Sequence, residues 1–180
     1  MNGPVSLGRS EDRCRALMAK LDAARHWPGF RCWLKARSIL RQGEAQDRLA
    51  IAIWLEDMIP EDSDTSALLE EAATGMVAEL RAGQGGAFRL LGEEAFAAQG
   101  TMTAMRRDEV AGFLDGLLNN DQSLPVSMQF QDLIRRLEGV EEILDFIATP
   151  GSPALRVALL ILDQLTQEVE RCINRLAAMI

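Results

Sequence analysis

A chain of 180 residues that is 48% apolar and 26% charged has globular rather than disordered composition, and its length suits one domain that buries roughly 70% of the surface exposed by the unfolded form. Nineteen Lys and Arg against 27 Asp and Glu leave a formal charge of −8, a field that opposes approach to phosphate polymers and anionic bilayers, so nucleic acid and membrane are not expected partners. Cys14, Cys32 and Cys172 are odd in number and lack CxxC or Cys/His spacing, which argues against a disulfide framework or a zinc site and fits a reducing cytoplasm.

Residues 1–9 read as a disordered tail, and the stretch MNGPVSLGRSEDR lacks the apolar core of a secretory signal. A first helix is expected after Ser10, an N-cap followed by Glu11 and Asp12, and is expected to stop near His26 because Pro28 and Gly29 follow. A second should run from about Phe30 to Ile59 with Trp33, Ile39, Leu49, Ile53 and Trp54 as apolar anchors, a weak point at Gly43, and a stop at Pro60. EDSDTS then offers caps for ALLEEAATGMVAELRA, whose Leu68, Leu69, Ala72, Met76 and Leu80 share one side. After the breaker GQGG, Ala87 to Ala98 reads as a short helix, Gly100 to Thr103 as a break, and Met105 to Leu118 as a helix anchored by Val110, Phe113, Leu114 and Leu117.

From Leu124 the pattern sharpens. Phe130, Leu133, Leu137, Val140, Leu144 and Ile147 recur at alternating spacings of three and four, the signature of a heptad seam that wants a neighbour along its axis. TPGSP supplies a stop and a new cap. Leu155, Ala158, Leu162, Leu165, Val169, Cys172, Leu176 and Met179 then carry the same alternation to the end of the chain. Two matched helices joined by so short a turn make an antiparallel hairpin over 124–180. Its apolar stripes need either the upstream helices or a second copy of the hairpin to complete a bundle. The reading is therefore a single all-α domain over 1–180, a helical bundle with a long C-terminal hairpin. The most apolar late run, ALRVALLILDQL, is broken by Arg156 and Asp163 well before bilayer length.

Beside the first seam lies a compact polar knot. Gln129, Asp132 and Arg136 stand at i, i+3 and i+7, on one flank facing outward, with Gln131 and Arg135 next to them. The run QFQDLIRRLEGV resembles the helix motif of the CheZ chemotaxis phosphatase family and the related short motif of chemotaxis-associated helical proteins. The match covers about a dozen residues of one helix. The resemblance implies a cytoplasmic helical bundle, commonly a homodimer, that docks on a phosphorylated CheY-like receiver domain, with magnesium supplied by that partner and no cofactor of its own. In the family motif an Asp engages a receiver lysine, and a Gln four residues later positions the water that attacks the aspartyl phosphate. Phosphoryl transfer to water needs mainly positioning and charge management, which suits those residue types.

Asp132 occupies the acidic position, whereas the amide position holds Arg136. A guanidinium has donors and no acceptor, so it cannot hold an attacking water as an amide oxygen can. It could bind phosphoryl oxygens, or pair with Asp132 as an i, i+4 couple. Gln129 is the nearest substitute amide. Gln167, in a second Asp-x-x-x-Gln spacing with Asp163, is another: a hairpin turning near Pro150 and Gly151 would set Asp163 and Gln167 across from about Leu137 and Leu133. Three readings stay open: a solvated face only, receiver binding without hydrolysis, and phosphatase action. The rival class is a scaffold whose helices bind a helical segment of a receptor or kinase. His26, beside a helix breaker, reads as a capping or packing residue. GQGG lacks the strand and the GK[ST] of a phosphate loop.

Overall fold

The computed structural model describes residues 7–40, 42–58, 63–83, 86–92, 102–119, 124, 127–148 and 155–180. Seven α-helices account for nearly all of them: α1 (Leu7–Lys20), α2 (Trp27–Ile39), α3 (Glu44–Met58), α4 (Ser63–Arg81), α5 (Met102–Leu118), α6 (Met128–Ala148) and α7 (Leu155–Met179). No strand occurs among the described residues, so the protein is all-α, as its periodicities predict. Residues 1–6 of the expected tail, the whole second half (93–98) of the expected 87–98 helix, and the TPGSP turn lie outside the described residues.

Several boundaries move, each for a local reason. Helix α1 already includes Leu7 to Arg9, because Ser10 does not serve as its cap; the Ser10 hydroxyl instead donates to Glu79 Oε1 at 2.6 Å. The same helix ends well before His26. Asp22 adopts a left-handed φ of 56°, and the Ala23 and Asp22 amides donate back to Met18 O and Ala19 O, the double bond of a Schellman stop. Pro28 then lies in the first turn of α2 rather than after a helix, where its missing N–H would have had no partner anyway. The expected long second helix is two helices. Leu40 turns extended, and Gly43 takes the cap position of α3, its carbonyl accepting from the Gln46 and Asp47 amides while Gln46 Oε1 accepts from the Gly43 amide.

Helix α3 also corrects the expected anchors. Asp47 turns inward to pair with Arg81 Nη1 at 2.9 Å, which sets Ile51 and Leu55 beneath it and rolls Leu49 and Ile53 out to solvent. Trp54 lies half-buried between these faces and stacks on Phe30 at 4.2 Å. On α4, Leu69, Ala72, Ala73, Met76 and Val77 are buried, whereas Leu68 is exposed.

Two apolar cores result. One gathers residues of α1, α2, α3 and α4 around Phe30, Leu34, Ile51 and Met76; the other gathers α2, α5, α6 and α7 around Phe113, Phe130, Leu137 and Ile173. Helix α2 belongs to both, and for that reason even its polar residues Arg31, Lys35, Arg37 and Ser38 are buried. It crosses α5 at very short range, with glycine on both sides: a Cβ on Gly112 would lie 2.2 Å from Gly29 O, and one on Gly116 would lie 2.8 Å from Trp33 O.

All six predicted seam residues of α6 are buried, as are Leu162, Val169, Cys172 and Leu176 of α7 and the four anchors of α5. The upstream helix α5 packs against both α6 and α7. Ser127 caps helix α6, its Oγ accepting from the Phe130 amide at 3.2 Å, a side-chain cap worth about 1 kcal/mol. Where a helix was expected from Ala87, residues 86–92 instead form an extended strap across α5 and α7.

The three thiols are buried in these cores. Burial pushes Cys14 up to about 12 and Cys172 up to about 11, and raises Cys32 well above its ordinary value. The thiolate is the reactive form. A thiol-specific reagent at neutral pH is therefore expected to label none of the three in the native protein and all three after denaturation. Rapid native labelling would contradict this packing.

Candidate functional site

The heptad seam of α6 faces inward, so the positions one residue before it are rotated by about 100° toward the surface. Gln129, Asp132 and Arg136 occupy that flank and all are exposed. The Asp132 side chain keeps 61% of its surface accessible and meets Arg135 Nη1 at 3.8 Å. Arg136 does not pair with Asp132, as an i, i+4 couple would; its Nη1 reaches across to Glu168 Oε1 of α7 at 3.2 Å. Glu168 is held from its other side by Arg171. Along the α6–α7 edge three guanidiniums, Arg135, Arg136 and Arg171, thus interleave with two carboxylates, Asp132 and Glu168.

The cross-helix pair also fixes the hairpin register. Glu168 beside Arg136 places Gln167 near Leu137, about one turn from the height expected for it opposite Leu133. Gln167 is exposed, but the α7 side chain that reaches the flank is Glu168. Gln129 and Gln131 are exposed in the first turn of α6. No amide stands four residues after Asp132, and the nearest amide on the same flank is one turn before it.

Following the flank toward the C-terminus uncovers what the knot alone did not suggest. The spacing of Gln129, Asp132 and Arg136 continues to Gly139, Ile143 and Phe146. Ile143 is 43% exposed and Phe146 63%, so a polar lower half passes into an apolar upper half along one stripe. The repeat was readable in the sequence as a second three-four alternation offset by one from the seam. Glu168 and Arg171 carried no comparable sequence signal, because their role depends on the register of α7 against α6.

Other candidates are placed elsewhere. His26 precedes α2 and accepts at Nε2 from Arg25 Nε at 3.0 Å; partial burial, then the neighbouring Arg25 charge, lowers its pKa. Gly83 and Gly86 both hold left-handed φ, 73° and 71°, the first ending α4. Among the described residues no group of three His, Cys, Asp or Glu side chains gathers to hold a metal ion, and no helix is long and apolar enough to cross a membrane. No family model, curated protein or solved structure matches the chain.

Proposed function

We propose that the protein is a chemotaxis-type signalling component that binds a phosphorylated CheY-like receiver domain through the outer flank of α6, with Asp132 as the central contact, Gln129 and Arg136 beside it and Gln131 and Arg135 at the margin. The observation that carries this reading is the open approach to Asp132 on α6, 61% exposed and flanked by guanidiniums. A carboxylate can meet a lysine of the partner, while the exposed Arg135 guanidinium beside it can meet an acidic or phosphorylated group. Magnesium, where it takes part, arrives with the receiver. Binding without efficient hydrolysis is the form supported, because Arg136 is occupied by Glu168 and offers no acceptor to an attacking water.

The test is titration of a phosphorylated receiver domain with the wild-type protein and with Asp132→Ala. Loss of a charge-assisted contact of about 1.5 to 3 kcal/mol is expected to weaken binding by roughly 10- to 100-fold. Absence of binding to either form of the receiver by the wild type would remove the proposal. Following the acyl phosphate over the same titration separates docking from phosphatase action: the wild type is expected to leave its lifetime unchanged, and Arg136→Gln to shorten it.

A second reading, a scaffold that binds a helical segment of a receptor or kinase, is favoured by the exposed Ile143 and Phe146 in line with the polar knot. Helix-in-groove partners anchor on such i, i+3 apolar pairs. Under this reading Phe146→Ser abolishes partner capture and Asp132→Ala does not.

A further inference from the structure

The strap over residues 86–92 is neither helix nor sheet, yet its backbone is bonded throughout its middle. Asn174 of α7 grips Phe88 from both sides, accepting its amide at 2.9 Å and donating to its carbonyl at 3.0 Å. The Leu90 amide donates to Glu170 at 2.9 Å and the Leu91 amide to Glu109 at 2.8 Å. The carbonyls of Arg89 and Leu91 each accept from a buried guanidinium, Arg31 and Arg106, at 2.7 Å. Six backbone bonds therefore run to side chains of α2, α5 and α7.

Side chains alternate along the same segment. Phe88 and Leu90 point into the core, the Phe88 ring lying 4.5 Å from the Arg31 guanidinium, while Arg89 points out and pairs with Glu170 at 2.9 Å. An alternating extended chain, held by its main chain with pockets for every second side chain, is the mode by which peptide grooves read a ligand. The groove is also costly to build as mere packing. It buries Arg106 and Glu109 as a pair in the C-terminal core, where apolar residues would serve stability at least as well. The strap is bounded by glycines, Gly83 and Gly86 before it and Gly92 after it, the first two with positive φ and open space around them.

We infer that the channel between α2, α5 and α7 is a recognition groove for an extended peptide, occupied in cis by residues 86–92, and that its exchange partner is an extended segment of another protein carrying two apolar side chains on either side of a basic one. The strap is the template for that partner. Asn174 and Glu170 fix the register of the incoming main chain, Glu109 and Arg106 its far end, and the Phe88 and Leu90 positions receive the partner's apolar side chains. A partner of the same pattern would refill the Phe88 and Leu90 sites in the core, and the exchange breaks no backbone bond within a helix.

The test uses the full chain and a synthetic peptide of the strap sequence, GAFRLLG. In Phe88→Ser/Leu90→Ser the cis ligand loses both anchors, and the peptide is expected to bind this variant at least about tenfold more tightly than it binds the wild type, with Asn174→Ala added to the variant abolishing the difference. Equal binding by variant and wild type, with helical circular dichroism retained, overturns the inference. If the double variant does not fold, amide exchange in the wild type decides: the Phe88, Leu90 and Leu91 amides are expected to exchange through local opening, well ahead of those of Leu114 and Leu137. Exchange of all five only on global unfolding means that the strap never leaves, and overturns the inference as well.

Discussion

Gly112→Ala is expected to destabilise the protein by about 2 kcal/mol or more, a shift of several degrees in Tm at this chain length. The added methyl would sit 2.2 Å from Gly29 O and 2.8 Å from its Cα. Both are backbone atoms of α2, which cannot swing aside as the end of a flexible side chain could. Forcing the two helices apart costs about 3 kcal/mol by the usual scale of overpacking, and the better helix propensity of alanine returns about 1 kcal/mol. Gly139→Ala is the matched control. Nothing lies within 4 Å of its new Cβ in the middle of α6, so only the propensity term applies, and a gain of about 0.5 to 1 kcal/mol is expected. Denaturant midpoints of the two variants should move in opposite directions. A neutral or favourable change at Gly112 would refute the close crossing of α2 on α5.

Arg106→Met is expected to cost about 3 to 5 kcal/mol at neutral pH, because it strands the carboxylate of Glu109, which is 0% exposed, without its partner. It also removes the donors to Thr166 Oγ1 and Leu91 O. The penalty should shrink on acidification. Burial raises the Glu109 pKa above the ordinary carboxyl value, against the opposing pull of Arg106, the Leu91 amide and Arg31. A group whose folded-state pKa is raised contributes stability below its unfolded pKa and loses that contribution as pH rises through the folded value. Removing the Arg106 charge raises it further. Urea titrations from neutral pH down toward the ordinary Glu range should therefore show the variant recovering part of its deficit relative to wild type. Glu109→Gln is the contrasting case: its amide oxygen still accepts from Leu91, but the buried Arg106 guanidinium loses its counterion, so a penalty of the same order is expected, and one that does not shrink on acidification. A pH-independent penalty in Arg106→Met would mean that Glu109 is not charged in the native state.

What the sequence made legible follows from how strongly each helix is one-sided. Helices α5 and α6 each bury one clear stripe, and every residue assigned to those stripes is in the core. Asp132 could be placed outside for the same reason, since the seam fixes which flank faces solvent. Helix α3 misled because its inward face is led by a carboxylate: once Asp47 pairs with Arg81, Leu49 and Ile53 have nowhere to go but outward. In α2, which has cores on both sides, buried arginines and a lysine erase the apolar contrast that periodicity relies on. Gly29 read only as part of a helix stop, and Gly112 and Gly116 carried no signal of their own; the value of all three lies in a crossing between segments far apart in the chain. The same holds at the flank. Pairing of Arg136 with Glu168 rather than Asp132 depends on the register of two helices, and the strap depends on side chains drawn from three.

The placement of α2 as a member of both cores bears on how the chain can be dissected. A fragment that starts at Met102 would keep the hairpin and α5 but strip from Phe113, Leu114 and Leu117 the apolar neighbours contributed by Cys32, Ala36, Ile39 and Leu40. The mirror-image truncation, ending at Arg81, would bare the opposite side of the same helix. Neither half is self-sufficient, so shortened versions made to isolate the α6 flank would report on a misassembled fragment, and single substitutions in the intact chain are the sounder instrument.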